Sequence, residues 1–192
     1  MTVAAAVLLN PQKPKIDMAC NQTISGLAQD CLSSKGGVSE VYLANFDDVT
    51  DVTVSSDMVS GITMASGKKF KRFYFRPGAA SMTSTLNLDV AAGVNFVQTL
   101  LNMLFSRMET TKRVEMAALA VNDLRAIVKD SNGVYWLLGE EEPMIANAGD
   151  GQTGQARTDA NRYSITLEDN NGSFPKEILI GSGGVDIDAI TE

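Results

Sequence analysis

The sequence predicts a mainly β protein, a β-sandwich or barrel with one short covering α-helix and extended N- and C-terminal arms. Three observations carry that prediction. The first is Ala126-Ile127-Val128-Lys129-Asp130-Ser131-Asn132-Gly133-Val134-Tyr135-Trp136-Leu137-Leu138, where Asn-Gly separates two β-prone runs. Both central residues of a type I′ turn need positive φ, which Asn and Gly tolerate best. The second is the stretch 81–90, where Ser81, Thr83, Thr85, Asn87 and Asp89 alternate with Met82, Ser84, Leu86, Leu88 and Val90. Period two with this much threonine marks a half-buried strand. The third is a single helical stripe, Val114, Ala117, Ala118 and Val121, set between β-prone segments. A chain of 192 residues holds one sizeable core and is short for two.

Taken in order, residues 1–36 mix small and polar residues with Pro11 and Pro14, allow a short helix near 23–32, and end at Gly36-Gly37. They are expected to form an arm on a β domain spanning 37–180. Val38–Asn45, with Val41, Tyr42 and Leu43, is a first strand, and Val52-Thr53-Val54 a second. Ile62 to Met64, then Gly67, then Lys69 to Arg76 suggest a hairpin closed by Pro77-Gly78. The run 94–108 satisfies a helical period through Val97, Leu101, Leu104, Phe105 and Met108, but its length, the preceding Gly93 and its polar alternation favour a strand.

Thr110 and Thr111 offer N-cap hydroxyls for a helix near 111–121 whose stripe should pack on a sheet, broadened by Met116 and Leu119. In the Asn-Gly hairpin a two-residue turn sets Lys129 opposite Trp136. Glu140-Glu141-Glu142-Pro143 ends it, and 147–161 reads as a Gly-rich polar loop. A second β pair is expected from Tyr163-Ser164-Ile165-Thr166-Leu167 through Asp169-Asn170-Asn171-Gly172 to Ile178-Leu179-Ile180. Gly181-Ser182-Gly183-Gly184 then releases an acidic tail, 181–192, with Asp186, Asp188 and Glu192.

Charge and composition narrow the function. A net charge of −7 argues against a surface built to grip phosphates. The dense basic cluster Lys68, Lys69, Lys71, Arg72 and Arg76 is interleaved with Phe70, Phe73, Tyr74 and Phe75, an arrangement that could stack single-stranded bases but reads better as a twisted strand. There is no histidine, which removes Ser-His-Asp and Cys-His catalysis and His-ligated zinc. Cys20 and Cys31 fit neither a CxxC redox motif nor a zinc knuckle. They are expected to be reduced thiols; a bridge between them would instead indicate an extracellular protein.

Val3-Ala4-Ala5-Ala6-Val7-Leu8-Leu9 lacks a preceding Lys or Arg and reads as part of the arm, not a signal peptide. No window reaches the ~18–20 apolar residues of a membrane span.

Four motifs suggest chemistry and each has a plainer reading. Asp47, Asp48 and Asp51 could ligate a divalent cation but lack the calcium-loop pattern, so a solvated turn is expected. Gly149-Asp150-Gly151-Gln152-Thr153-Gly154 matches G-x-G-x-x-G, with Asp169 where a ribose-binding acid would sit. No helical stripe follows it, so a flexible loop is expected. Glu140, Glu141 and Glu142 could supply a glycosidase-like acid and base, yet read as solvated. Asn21-Gln22-Thr23 and Asn171-Gly172-Ser173 match the glycosylation acceptor without a secretory signal. Nine methionines are read mostly as core. No catalytic, cofactor-binding or metal-ligating residue is assigned, and the chain is read as a non-enzyme.

GGVSEVYLANFDDV (36–49), RAIVKDSNGVYWLLGE (125–140) and NRYSITLEDNNGSFP (161–175) give the chain its likeness to a family. It resembles virion structural proteins of tailed bacteriophages, in particular tail tube proteins of phages of Bacteroidetes. The resemblance implies a helix-flanked β-sandwich or barrel, six copies joining their sheets into a ring, and rings stacking through arms and loops into a tube assembled in the host bacterial cytoplasm.

The partners so implied are further copies, the tape measure, terminator and baseplate proteins, and DNA in non-specific passage along a negative lumen. No membrane and no catalytic residue are implied. Candidate stacking elements are 1–36, 147–161 and 181–192. A tail terminator, head-to-tail connector, capsid decoration protein or bacterial injection-system tube remains an alternative, with a soluble enzyme the weakest.

Overall fold

Strand follows strand from Val38, as the period-two and continuous apolar runs require. The computed structural model describes Gly26, Leu27 and residues 31–192. The chain divides into two compact units, 1–33 and 34–192, and the described strands and helices all lie in the second. They are β1 (Val38–Asn45), β2 (Val49–Ser55), β3 (Met58–Met64), β4 (Lys71–Tyr74), β5 (Ala80–Asp89), β6 (Val94–Ser106), α1 (Thr110–Val121), β7 (Leu124–Asp130), β8 (Tyr135–Leu138), β9 (Ile145–Gln152), β10 (Arg162–Asn171), β11 (Lys176–Glu177) and α2 (Ile187–Ile190). The protein is mainly β and sandwich-like, with antiparallel sheets ordered β11-β8-β7-β1-β4, β5-β6-β10-β9 and β2-β3.

The five-stranded sheet is the middle layer, buried on both faces. On one side Val41, Leu43, Ala126, Val128 and Leu138 pack with Leu101, Met103, Ile165 and Leu167 of the four-stranded sheet and with Leu119 of α1. On the other, Tyr42, Ile127 and Leu137 pack with Val59 and Ile62 of β3, with Phe70, and with Ile178, Val185 and Ile187. Two-sided burial explains why β1 and β7 read as near-continuous apolar runs while β5 and β10 alternate. The run 94–108 is a strand over Val94–Ser106, as its alternation favours.

Several expectations change in detail. The Asn-Gly hairpin carries a three-residue loop, in which Gly133 N–H donates to Asp130 O at 3.2 Å and Asp130 N–H to Val134 O at 2.9 Å. Only Gly133 (φ 90°) is left-handed there, so the turn is type I followed by a glycine bulge. The Asp130 carboxylate decides it by accepting from Asn132 N at 2.7 Å and Val134 N at 2.9 Å. Lys129 therefore faces Tyr135, and Trp136 faces Val128. The type I′ signature falls instead at Ser56 (φ 53°) and Asp57 (φ 62°), which join β2 to β3. That removes the expected pairing of 62–64 with 69–76: β3 pairs β2, and β4 pairs β1.

The region 147–161 is not all loop, because β9 occupies Ile145–Gln152 and pairs β10. Nor does 163–167 pair with 178–180. Both neighbours of β10 are taken, by β6 and β9, so the chain crosses layers: β11 pairs β8 and Ile178 bridges Val59.

Helix α1 starts one residue earlier than expected, with Glu109 at the cap and neither threonine hydroxyl capping. The expected stripe does not carry its packing, since Val114, Ala117 and Val121 are exposed and Ala118 half-buried; Met116 and Leu119, expected only to broaden that face, are the residues that pack on the core. Residues 181–192 are no free arm. Gly184 N–H turns back to Gly181 O, Val185 and Ile187 are buried, and Glu192 N–H donates to Phe70 O at 3.0 Å. The apolar spacing Val185, Ile187, Ile190 against the inner layer outweighs the segment's acidity. The arm expected over 1–36 and its helix near 23–32 fall mostly outside the described residues, as does Cys20; Cys31 is a free, exposed thiol.

Candidate assembly surface

Side chains alternate across a strand, so the register of the four-stranded sheet assigns each to a face. The row Ala80, Met103, Ile165, Gly149 runs across all four strands on the core side. The opposite, outer face carries Ser81, Thr83, Thr85 and Asn87 of β5, Gln98 and Asn102 of β6, and Ser164, Thr166, Glu168 and Asn170 of β10, interrupted by Val94, Phe96, Leu100 and Leu104 of β6 and by Ile145 of β9, opposite Glu168. Its charged groups are Glu168, Asp150 and Asp89 against Arg162. Glu168 is fixed near the middle of this face. Its carboxylate accepts from Asn170 Nδ2 at 2.8 Å, from Gln98 Nε2 at 2.9 Å, and from Asn147 Nδ2. The hydrogen bonds from Asn170 and Gln98, with that from Asn147, outweigh partial burial and hold the carboxyl below its ordinary range.

On the core side a polar rung interrupts the apolar rows, and Val97, one step beyond it, is still buried. Ser84 Oγ and Thr99 Oγ1 lie 2.8 Å apart, and buried Asp169 accepts from Gly139 N at 3.2 Å and Asn171 Nδ2 at 2.7 Å. Beyond the rung the β5–β6 hairpin runs on, and the β5 side of it is open to solvent. Its core-side residues Leu86 and Leu88, and Val90 in the turn after β5, are 49%, 62% and 86% exposed. Large apolar side chains repeated along one face and left in water mark an interaction surface.

At the other edge of this sheet, a groove of about 470 Å³ lies between α1 and β9. Ala117 and Ala120 form one wall and Gly149 and Gly151 the floor, beside Tyr163. The glycines make the space. At Gly151 a Cβ would meet the Tyr163 ring at 2.9 Å, so only glycine lets that ring lie across β9.

The chemistry-bearing motifs do not converge. Asp48 pairs with Lys68 at 3.2 Å and Asp51 accepts from Thr53, and no group of His, Cys, Asp and Glu that could hold a metal exists among the described residues. Gly149 and Gly151 lie on β9 and Gly154 in the loop after it, so no helix N-terminus receives a phosphate. Glu140 is tied to Lys176 at 2.6 Å. The Asn171 amide is engaged by Asp169, and the other glycosylation match, at Asn21, lies outside the described residues.

The basic cluster is engaged by partners: Lys68 with Asp48, Lys71 with Glu192, Arg72 with Glu40, while Phe70 is buried and Phe73 and Phe75 pack on the core. Glu40 gathers Tyr42 Oη at 2.6 Å, Arg72 Nη2 at 2.6 Å and Lys129 Nζ at 3.1 Å. Burial alone would raise its pKa, yet these donors together hold it below the usual range. The cluster is an internal tie between β1, β4 and β7.

No family model, curated protein or solved structure matches the chain. Among the described residues, no helix is long and apolar enough to cross a membrane. Sequence reading found the alternation that builds the outer face but missed the groove. Its signal was present in Ala146-Asn147-Ala148-Gly149-Asp150-Gly151, where small residues fill a strand that a loop reading discarded.

Proposed function

We propose that this chain is a self-assembling structural protein of a phage virion, a tail tube protein whose copies join through the four-stranded sheet into stacked rings. The observation that carries the reading is the sheet itself, whose two edge strands, β5 and β9, have no strand partner on their outer sides among the described residues and whose outer face is largely polar with Glu168 fixed near its centre. An unpaired edge is a template for another chain, and closing sheets into a ring removes it. The likeness of 36–49, 125–140 and 161–175 to tail tube proteins supplies the biological setting.

In such a ring the outer face lines the lumen, where Glu168, Asp150 and Asp89 outnumber Arg162. A wall with excess negative charge repels DNA phosphates within about one Debye length, ~8 Å at physiological salt, so the polymer passes without sticking. Negative-stain microscopy of the purified chain tests the reading. Rings or tubes with a central channel are expected, and solid aggregates or monomers alone would refute it.

A further inference from the structure

Resting on that self-assembly reading, we propose that copies join head to tail by antiparallel addition of the β5 edge of one copy to the β9 edge of the next. The apolar row Leu86, Leu88 and Val90 of the first copy then seats in the groove between α1 and β9 of the second. Four independent features meet in this joint.

Direction is the first. The sheet has four strands in strict antiparallel order, so its edges β5 and β9 run in opposite directions, and rotation of one copy onto the next continues the alternation unbroken. Facing is the second. Leu86 and Leu88 point to the core side of the sheet, through pairing with Val97 and Asn95, and the groove opens on that same side of β9. In a continuous sheet the row and the groove therefore meet.

Stagger is the third. The row through Gly149, Ile165, Met103 and Ala80 passes near the middle of β9 but through the first residue of β5. Strands thus slide progressively across the sheet, the offset that a tilted, closed barrel requires. One more step of the same sense sets a neighbour's Leu86 level with Gly149 and its Ser84 level with Gly151.

Chemistry is the fourth. Exposed aliphatic side chains face a groove floored by glycine and walled by Ala117 and Ala120, which leaves room for them. The row cannot fill the groove of its own chain, because the two lie on opposite edges of one sheet. A second copy can. The interface is heterologous, and it generates a ring if the rotation closes and a filament if it does not.

Cysteine pairing tests the joint. In a Cys20→Ser, Cys31→Ser background, Leu86→Cys is combined with Gly149→Cys; a Cβ at Gly149 meets only Ser164 O, at 3.7 Å. Directly opposed residues of antiparallel strands have Cα atoms about 4.5–5.5 Å apart, within disulfide reach. Oxidation is expected to give a ladder of covalent oligomers on a non-reducing gel, and Thr85→Cys with Gly149→Cys, on opposite faces, none. Separately, Leu88→Asp and Ala120→Glu should each be monomeric alone and form a one-to-one dimer when mixed, since each keeps one intact half of the joint; this dimer also shows both are folded. If the unsubstituted chain assembles but the ladder is absent, or Leu88→Asp assembles undiminished, the joint is wrong and the self-assembly reading stands. A monomeric unsubstituted chain removes both.

Discussion

Asp169 sits 2% exposed in the polar rung, with the Gly139 N–H and the Asn171 amide as its donors. Burial raises its pKa, and the nearby charges of Glu140 and Glu141 add to that, against the lowering by its two hydrogen bonds. In the unfolded chain an aspartate titrates near about 3.9, so between that value and the higher folded one the folded protein binds more protons, and stability falls as pH rises through the window. Asp169→Asn should abolish that fall, which urea denaturation across a pH series will show as a flatter profile on the alkaline side of about pH 4.

Glu40 acts in the opposite sense. Its folded pKa is depressed, so its contribution is present above an unfolded value near about 4.3 and is lost as pH falls through the folded value. Glu40→Gln should cost about 2 kcal/mol near neutrality by weakening charge-assisted bonds to Arg72 and Lys129. It should also blunt the acid limb of the same pH series.

For the elements, most strands were legible, though β9 was read as loop, and of the pairings only the β7–β8 hairpin was. Alternation or apolar continuity marked β1, β5, β6 and β7 because burial on one face or two leaves a period in the residues themselves. Pairing depends on layers. Ile62 to Met64 joins β2 through Ser56 and Asp57, neither a glycine, and so gave no strong turn signal.

The helix stripe misled for a related reason: alanines fit either face, and the larger Met116 and Leu119 gain more from burial than Val114 and Val121. Leu119→Ala should therefore destabilise by about 2–4 kcal/mol, whereas Val121→Ser should stay within about 0.5 kcal/mol. Chemical denaturation separates the two. In the β7–β8 hairpin, Gly133→Val forces a β-branched residue into the left-handed region and should cost about 1–3 kcal/mol by the same measurement.

For the whole molecule, a charge of −7 on each copy opposes association, while the apolar hairpin row and the strand edges left unpaired among the described residues favour it. Salt screens the first and leaves the second. Sedimentation velocity should show larger assemblies as ionic strength rises from about 0.01 M to 0.15 M, where the Debye length shrinks from ~30 to ~8 Å. The candidate surface was only half legible in the sequence: the polar outer face follows from alternation, but the exposure of Leu86, Leu88 and Val90 depends on which side chains of other elements reach the far end of β5. No local pattern encodes how far a neighbouring element reaches.

In the proposed assembly copies join through the four-stranded sheet with its Glu168 face inward. A reconstruction of the assembled particle by electron cryomicroscopy tests it most directly. The expected result is a channel walled by continuous antiparallel sheet, β5 of one copy beside β9 of the next, with Glu168 on the lumen. Particles whose copies meet through other surfaces, or whose Glu168 face lies outside, would contradict it.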